Sequence, residues 1–464
     1  MAENPLITNN YRAYTRIWTK YGINSTPAQT VFVILFLSIL LIHHHVVTGA
    51  YVCLCLWALV GPKQAIKALS LNYLILLLNQ AIYTLSPEVS LLRWIILYIA
   101  GLRVAFSFSR RAAAFVIALL LFFLMITVLA FWTSPSFQIS FSKITVFTYG
   151  VATFLIAFNS LDKHSLMDLK DWFLAISVAV VLISLPTLFL PSVGYLCNGR
   201  GFQGVFNHPQ GFGVFLAPII AYLASKIFLL RSSEKLWVRL FGAIAFLVMF
   251  LSRSRTAMLT VLISLGSALV AGTLSPHHKV MQMAALRTLT YIASGLIILF
   301  ALIVISPVFS KTIEGFWLKG EENTTLEEAF YRSRGAGIDF HWNRFLQKPL
   351  TGHGFGIDAA HGIKKNPESF LGIAVSSPTE KGFLPVAFLE EVGIIGLLFF
   401  MPFFLILCWS AVSQPDMGLI SIFFACLFVN IGEAVFFSPG YLGGYLWLLI
   451  GLSTAPGWKK NHQA

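Results

Sequence analysis

Ala112-Ala-Ala-Phe-Val-Ile-Ala-Leu-Leu-Leu-Phe-Phe-Leu-Met-Ile-Thr-Val-Leu-Ala-Phe-Trp132 contains no charged side chain, and Arg110-Arg111 directly precede it. A helix needs roughly 20 apolar residues to cross a bilayer. This run meets that requirement alone and marks an integral membrane protein. Composition agrees: 57% of the 464 residues are hydrophobic, 11% are charged, and mean hydropathy is +0.79. A soluble domain carries roughly 25% charged residues.

Outward from this run, apolar stretches recur at Thr30–Ile42, Val46–Val60, Ile66–Leu85, Leu91–Phe108, Ile144–Phe158, Trp172–Leu190, Gly211–Leu230 and Val238–Leu251. They continue at Thr256–Thr273, Thr288–Ile305, Phe383–Trp409, Met417–Phe437 and Tyr441–Leu452. The expected fold is all-α, a polytopic transmembrane helix bundle of about 12–14 spans, the lower figure applying if the short first runs are mis-split. One long run, Pro307 to Phe383, is not built for lipid. The chain therefore divides into an N-terminal transmembrane bundle (1–306), a large polar loop containing helices (307–382) and C-terminal transmembrane helices (383–464). Met1 to Thr30 is polar and lacks a signal peptide's apolar core, so the first span is expected to be retained.

The net charge is +13. In a membrane protein, excess Lys and Arg marks the cytoplasmic connections. With the N-terminus inside, the basic connections at Lys63 and Lys67, Arg110 and Arg111, Lys163 and Lys170, Arg231 to Arg239, Lys279 and Arg287, and Lys459 and Lys460 all fall on that side. No basic run is interleaved with aromatics, so nucleic acid is not an expected partner. The five cysteines, Cys53, Cys55, Cys197, Cys408 and Cys426, are scattered and imply no disulfide framework.

Three outward segments break the charge rule. Leu251-Ser-Arg-Ser-Arg-Thr-Ala257 puts Arg253 and Arg255 between two spans with almost no loop. Charged residues so placed either face a protein interior or wet cavity, or snorkel to the headgroups. Gly199-Arg-Gly-Phe-Gln-Gly-Val-Phe-Asn-His-Pro-Gln210 is a glycine-punctuated loop carrying Arg200; it reads as an ordinary turn or as backbone that approaches a ligand closely. The polar loop is the third. Thr325 to Gln347 has the period of an amphipathic helix, with Phe330, Ile338, His341 and Phe345 near one face and Arg334 on that side. Pro349 ends it, and Gly352, Gly354 and Gly356 form a tight turn. His341 reads as a packing residue, and His353 and His361 read as surface groups. Asn24-Ser-Thr26 and Asn323-Thr-Thr325 match glycosylation sequons, a pattern common by chance.

Arginine is the side chain suited to bidentate phosphate contacts. No Asp-rich metal motif accompanies these arginines, and neither a metal nor a cofactor is expected. Arginines converging at an outer membrane face fit a lipid-pyrophosphate donor.

From Arg200 to Gly451 the chain resembles the O-antigen ligase and O-antigen polymerase superfamily of bacterial membrane glycosyltransferases. The resemblance rests on Arg200 through Pro209, on Ser254-Arg-Thr-Ala257, on Arg334 ahead of Pro349-Leu-Thr-Gly-His-Gly354, and on Glu391-Val-Gly-Ile-Ile-Gly396. Ligases of this family carry a His-Asn or His-Ser pair where this chain has Gly382-Phe383, preceded by Glu380-Lys381. Pro378-Thr-Glu-Lys-Gly382 is closer to the exopolysaccharide polymerase-like variant.

The resemblance implies glycosyl transfer from an undecaprenyl-pyrophosphate oligosaccharide at the periplasmic face of the inner membrane, with both termini cytoplasmic. Arg200, Arg255 and Arg334 would bind the pyrophosphate, Lys381 would add a phosphate contact, and Glu380 would be the base. Membrane lipid and a chain-length regulator or export protein are the implied partners. The alternatives are a small-anion transporter of the bicarbonate kind and a non-catalytic scaffold for glycan export. No internal repeat of the kind transporters carry is evident.

Overall fold

The computed structural model describes residues 26–42, 46–79, 81–82, 87–229, 236–274, 328, 331–357, 368–370, 373–376 and 381–459. The expected span Thr288–Ile305, the 306/307 boundary, Glu380, His361 and both sequon asparagines lie outside these residues.

The N-terminal helices are α1 (Thr26–Ile42), α2 (Val47–Val60), α3 (Pro62–Leu76), α4 (Pro87–Ala105), α5 (Arg110–Thr133), α6 (Phe137–Ser160) and α7 (Lys163–Ser184). There follow α8 (Pro209–Ala224), α9 (Leu236–Leu251), α10 (Arg255–Leu274) and the amphipathic α11 (Ala336–Gln347). A short antiparallel hairpin of β1 (Glu368–Phe370) and β2 (Ile373–Ser376) comes next. The chain ends in α12 (Leu384–Val412), α13 (Met417–Phe428) and α14 (Tyr441–Thr454). Among the described residues, six helices are long and apolar enough to cross a membrane: α5, α6, α7 with its extension to Phe189, α8 with its extension to Ile227, α10 and α12. The protein is a helical membrane protein, with one hairpin that the all-α expectation did not contain.

Local chemistry sets the helix ends. Asp162 caps α7 by accepting the Ser165 amide at 3.1 Å; hydrogen bonding from the Ser165 side chain, and then from that amide, holds its carboxyl below the usual range. Asp416 caps α13 through the Gly418 amide at 2.8 Å and pairs with Lys226 at 2.8 Å. Two expected spans end early. The run from Ile66 stops being helical at Leu76, because Leu77 and Asn79 exchange backbone hydrogen bonds with Asn207 and Val205. The run from Met417 breaks after Phe428, where Asn430 donates to the Cys426 carbonyl and accepts from the Val435 and Phe436 amides.

The C-terminal helices interleave with the N-terminal ones. α12 packs on α5, α13 lies between α8 and α10, and α14 packs on α3. The core is aromatic where they meet. Phe437 contacts Phe122, Phe147, Phe355 and Phe400, and stacks on Phe388 at 4.6 Å.

Candidate functional site

α12 is kinked at Gly393, whose φ of 63° is a left-handed conformation that glycine adopts without strain. The glycine turn after α11 occupies the kink. His353 and Gly354 donate to the Glu390 and Glu391 carbonyls at 2.9 and 3.0 Å; Ile394 and Ile395 donate to Pro349 and Leu350 at 2.9 and 3.0 Å. These four bonds satisfy backbone groups that the broken helix would leave orphaned. The fit requires bare backbone: a Cβ at Gly352 would lie 2.4 Å from the Glu391 carbonyl oxygen, and one at Gly393 2.4 Å from that of Leu350.

This interlock presents Glu390 and Glu391 on one turn. Glu390 is 1% exposed, with His341 Nδ1 at 2.6 Å, Arg344 Nε at 3.1 Å and Lys381 Nζ at 3.3 Å. Glu391 pairs with Lys381 at 2.9 Å and accepts the Gly356 amide at 2.7 Å. Burial alone would pull the Lys381 ammonium down, but Glu391 and Glu390 outweigh it and hold Lys381 above its ordinary value. It is therefore charged. His353, expected at the surface, is partly buried instead: its Nε2–H donates to the Arg344 carbonyl at 2.8 Å while Arg344 Nη2 lies 3.3 Å from Nδ1. Burial, followed by the charges of Arg344 and Lys348, lowers its pKa and keeps it neutral.

A second cluster gathers at Glu433, in the break between α13 and α14. The Gln210 amide donates to Glu433 Oε1, and Arg334 Nη2 lies 3.4 Å from the same oxygen. Arg255, the half-buried first residue of α10, lies close enough to Arg334 for their charges to interact. Its neighbour Thr256 packs against Gly432, where a Cβ would lie 2.3 Å from the threonine Oγ1.

Both clusters border one cavity of about 620 Å³. Lys143, Lys381, Glu391, Gln210 and Glu433 supply its charged and polar wall; Leu77, Trp94, Leu384, Phe388, Phe437 and Leu442 are among its apolar lining. These residues come from α3, α4, α6, α8, α12, α14 and the connection between α13 and α14, on the side that the charge pattern leads one to expect at the outer face.

Arg255 sits within charge range of Arg334, and Arg334 pairs with Glu433, which lines the cavity together with the buried Lys381; neither arginine is among the described lining residues. Arg200 stays exposed, but its loop lies against the Arg255 turn: Phe202 donates to the Leu251 carbonyl at 3.0 Å, and a Cβ at Gly201 would lie 2.8 Å from that of Ser252. Sequence reasoning did not select Lys143, Gln210 or Glu433. A lone lysine opening a span on an otherwise non-basic face was the available signal for Lys143. Among the described residues, no three His, Cys, Asp or Glu side chains group as metal ligands.

Fold and site together define a class: a polytopic helical membrane protein with a charged, aromatic-floored cavity at one end of its bundle. No protein-family model matches the chain, and no curated protein matches it.

Proposed function

We propose that the chain is a glycosyltransferase of the O-antigen polymerase kind, working at the periplasmic face of a bacterial inner membrane. The observation that carries this reading is the ion pair of Arg334 with Glu433 on the wall of a cavity whose lining is otherwise largely apolar, with Arg255 within charge range of Arg334. A lipid pyrophosphate presents two charged phosphates on a greasy tail, and needs both surfaces.

The donor is a glycan on undecaprenyl pyrophosphate. An acceptor sugar hydroxyl attacks the anomeric carbon as that carbon's bond to the pyrophosphate oxygen breaks. The hydroxyl proton passes to Glu380, adjacent in sequence to Lys381. The lipid pyrophosphate leaves with the bonding electrons. Arg255 and Arg334, with Arg200, take up the charge that develops on it, an electrostatic contribution that grows toward the transition state. Lys381 adds a fixed positive charge.

Purified protein reconstituted with a polyprenyl-pyrophosphate oligosaccharide tests this. A ladder of products is expected from the wild type. Losing one such electrostatic group costs about 10²–10³ in rate, so Arg255→Ala should nearly abolish the ladder. An undiminished ladder with Arg255→Ala would remove the arginine from the reaction.

A second reading, a small-anion transporter, draws on one observation. Transporters use interrupted helices at their binding sites, and the break between α13 and α14 lines the cavity. Anion uptake by vesicles that make no ladder would favour it.

A further inference from the structure

Lys143 belongs to none of the segments that suggested a site, and it lies in the second turn of α6 rather than in any loop. Yet it lines the same cavity as Lys381 and Glu391. Gly356 is shaped around it: φ there is 74°, and a Cβ would lie 2.0 Å from Lys143 Cδ. Any side chain at 356 would push the lysine stem aside. The stem thus passes through a gap the glycine turn leaves open, with its Nζ 6.0 Å from the centre of the Phe355 ring.

The charges around it do not balance. Glu391 pairs with Lys381, and Glu390 is taken by Lys381, Arg344 and His341. Among the described residues, no carboxylate lies within ion-pair distance of Lys143, although it feels the charges of Glu391 and Lys381. Of the carboxylates in the cavity wall, Glu391 is taken by Lys381 and the Gly356 amide, and Glu433 by Arg334 and Gln210. A lysine at a membrane-protein cavity whose wall carboxylates are already taken marks an anion's place.

We propose that Lys143 binds a phosphate group in this cavity, together with Lys381. The anion is one phosphate of a pyrophosphate. Its assignment to a lipid-linked donor rests on the function proposed above; the anion site itself does not. If the proposed reaction holds, Arg255 and Arg334 hold one phosphate and the two lysines the other.

The test is calorimetric titration of the full chain in detergent with two probes, inorganic pyrophosphate and farnesyl pyrophosphate. Losing a charge-assisted hydrogen bond weakens binding by about tenfold or more. Lys143→Met should show that loss for whichever probe binds, and Lys143→Arg should restore most of it. Lys143→Gln repeats the neutral substitution should the methionine variant not fold. Tighter binding of the farnesyl compound assigns a lipid-linked anion; equal binding of both assigns the free one. Unchanged affinity in the neutral variants, or no binding of either probe to the wild type, overturns the proposal. Loss of binding in Lys143→Met alongside a wild type that makes no glycan ladder would keep the anion site and discard the transferase.

Discussion

At the scale of single residues, the decisive fact is that Glu390 has three cationic or protonatable partners and no solvent. Such a group serves the fold. Removing one partner from a buried ion pair costs about 3–5 kcal/mol, because the remaining charge cannot be resolvated. Lys381→Met should therefore lower the melting temperature in detergent markedly, whereas Arg200→Ala, at an exposed position, should leave it within the error of a thermal-shift assay. His353 makes a pH-dependent contribution. Its folded pKa lies below the ordinary 6.5, so the unfolded chain takes up the proton first. Its stabilisation is complete above pH 6.5 and declines as pH falls below that value. Wild type should lose thermal stability on acidification through this window, and His353→Gln should lose less; parallel curves would show that His353 stays uncoupled from folding. In the sequence, Arg255 and Arg334 stood out because arginine is costly outside a cytoplasmic loop. Lys143 and Glu433 did not, because a single charge at a span end also suits the membrane interface.

Among the elements, the interlock of the glycine turn with kinked α12 positions Glu391 and packs Gly356 against Lys143 in the cavity wall. Three alternate glycines announced a turn, and the turn is there, with positive φ at Gly352, Gly354 and Gly356. What they could not announce is what they avoid: the Glu391 carbonyl, Ser134 and Lys143 respectively. Those neighbours come from distant parts of the chain, and no local pattern encodes them. Equally, an apolar run looks the same whether its helix continues or breaks. The early ends at Leu76 and Phe428 depend on Asn207 and Asn430 finding backbone partners. Gly393→Ala combines a left-handed backbone with a collision on the Leu350 carbonyl. It should destabilise by about 2 kcal/mol or more, read as a lower midpoint in detergent unfolding. A variant as stable as wild type would mean the turn does not fill the kink.

On the scale of the whole molecule, the membrane class was legible from composition and one uncharged run, since no soluble core tolerates either. That Arg200, Arg255, and the polar loop with Arg334 and Lys381 are exceptions to the charge pattern was legible in the sequence. Their assembly was not, because the cavity draws on helices from both ends of the chain, and only packing decides which ends meet. The reaction proposed for that shared cavity is the binding of a pyrophosphate group and its release as a glycosidic bond forms. The most direct measurement counts both products in proteoliposomes, polyprenyl pyrophosphate released and glycosidic bonds made. One release per bond is expected for the wild type, with both falling together by about 10² or more in Arg334→Ala. Anion uptake with neither product would contradict the account.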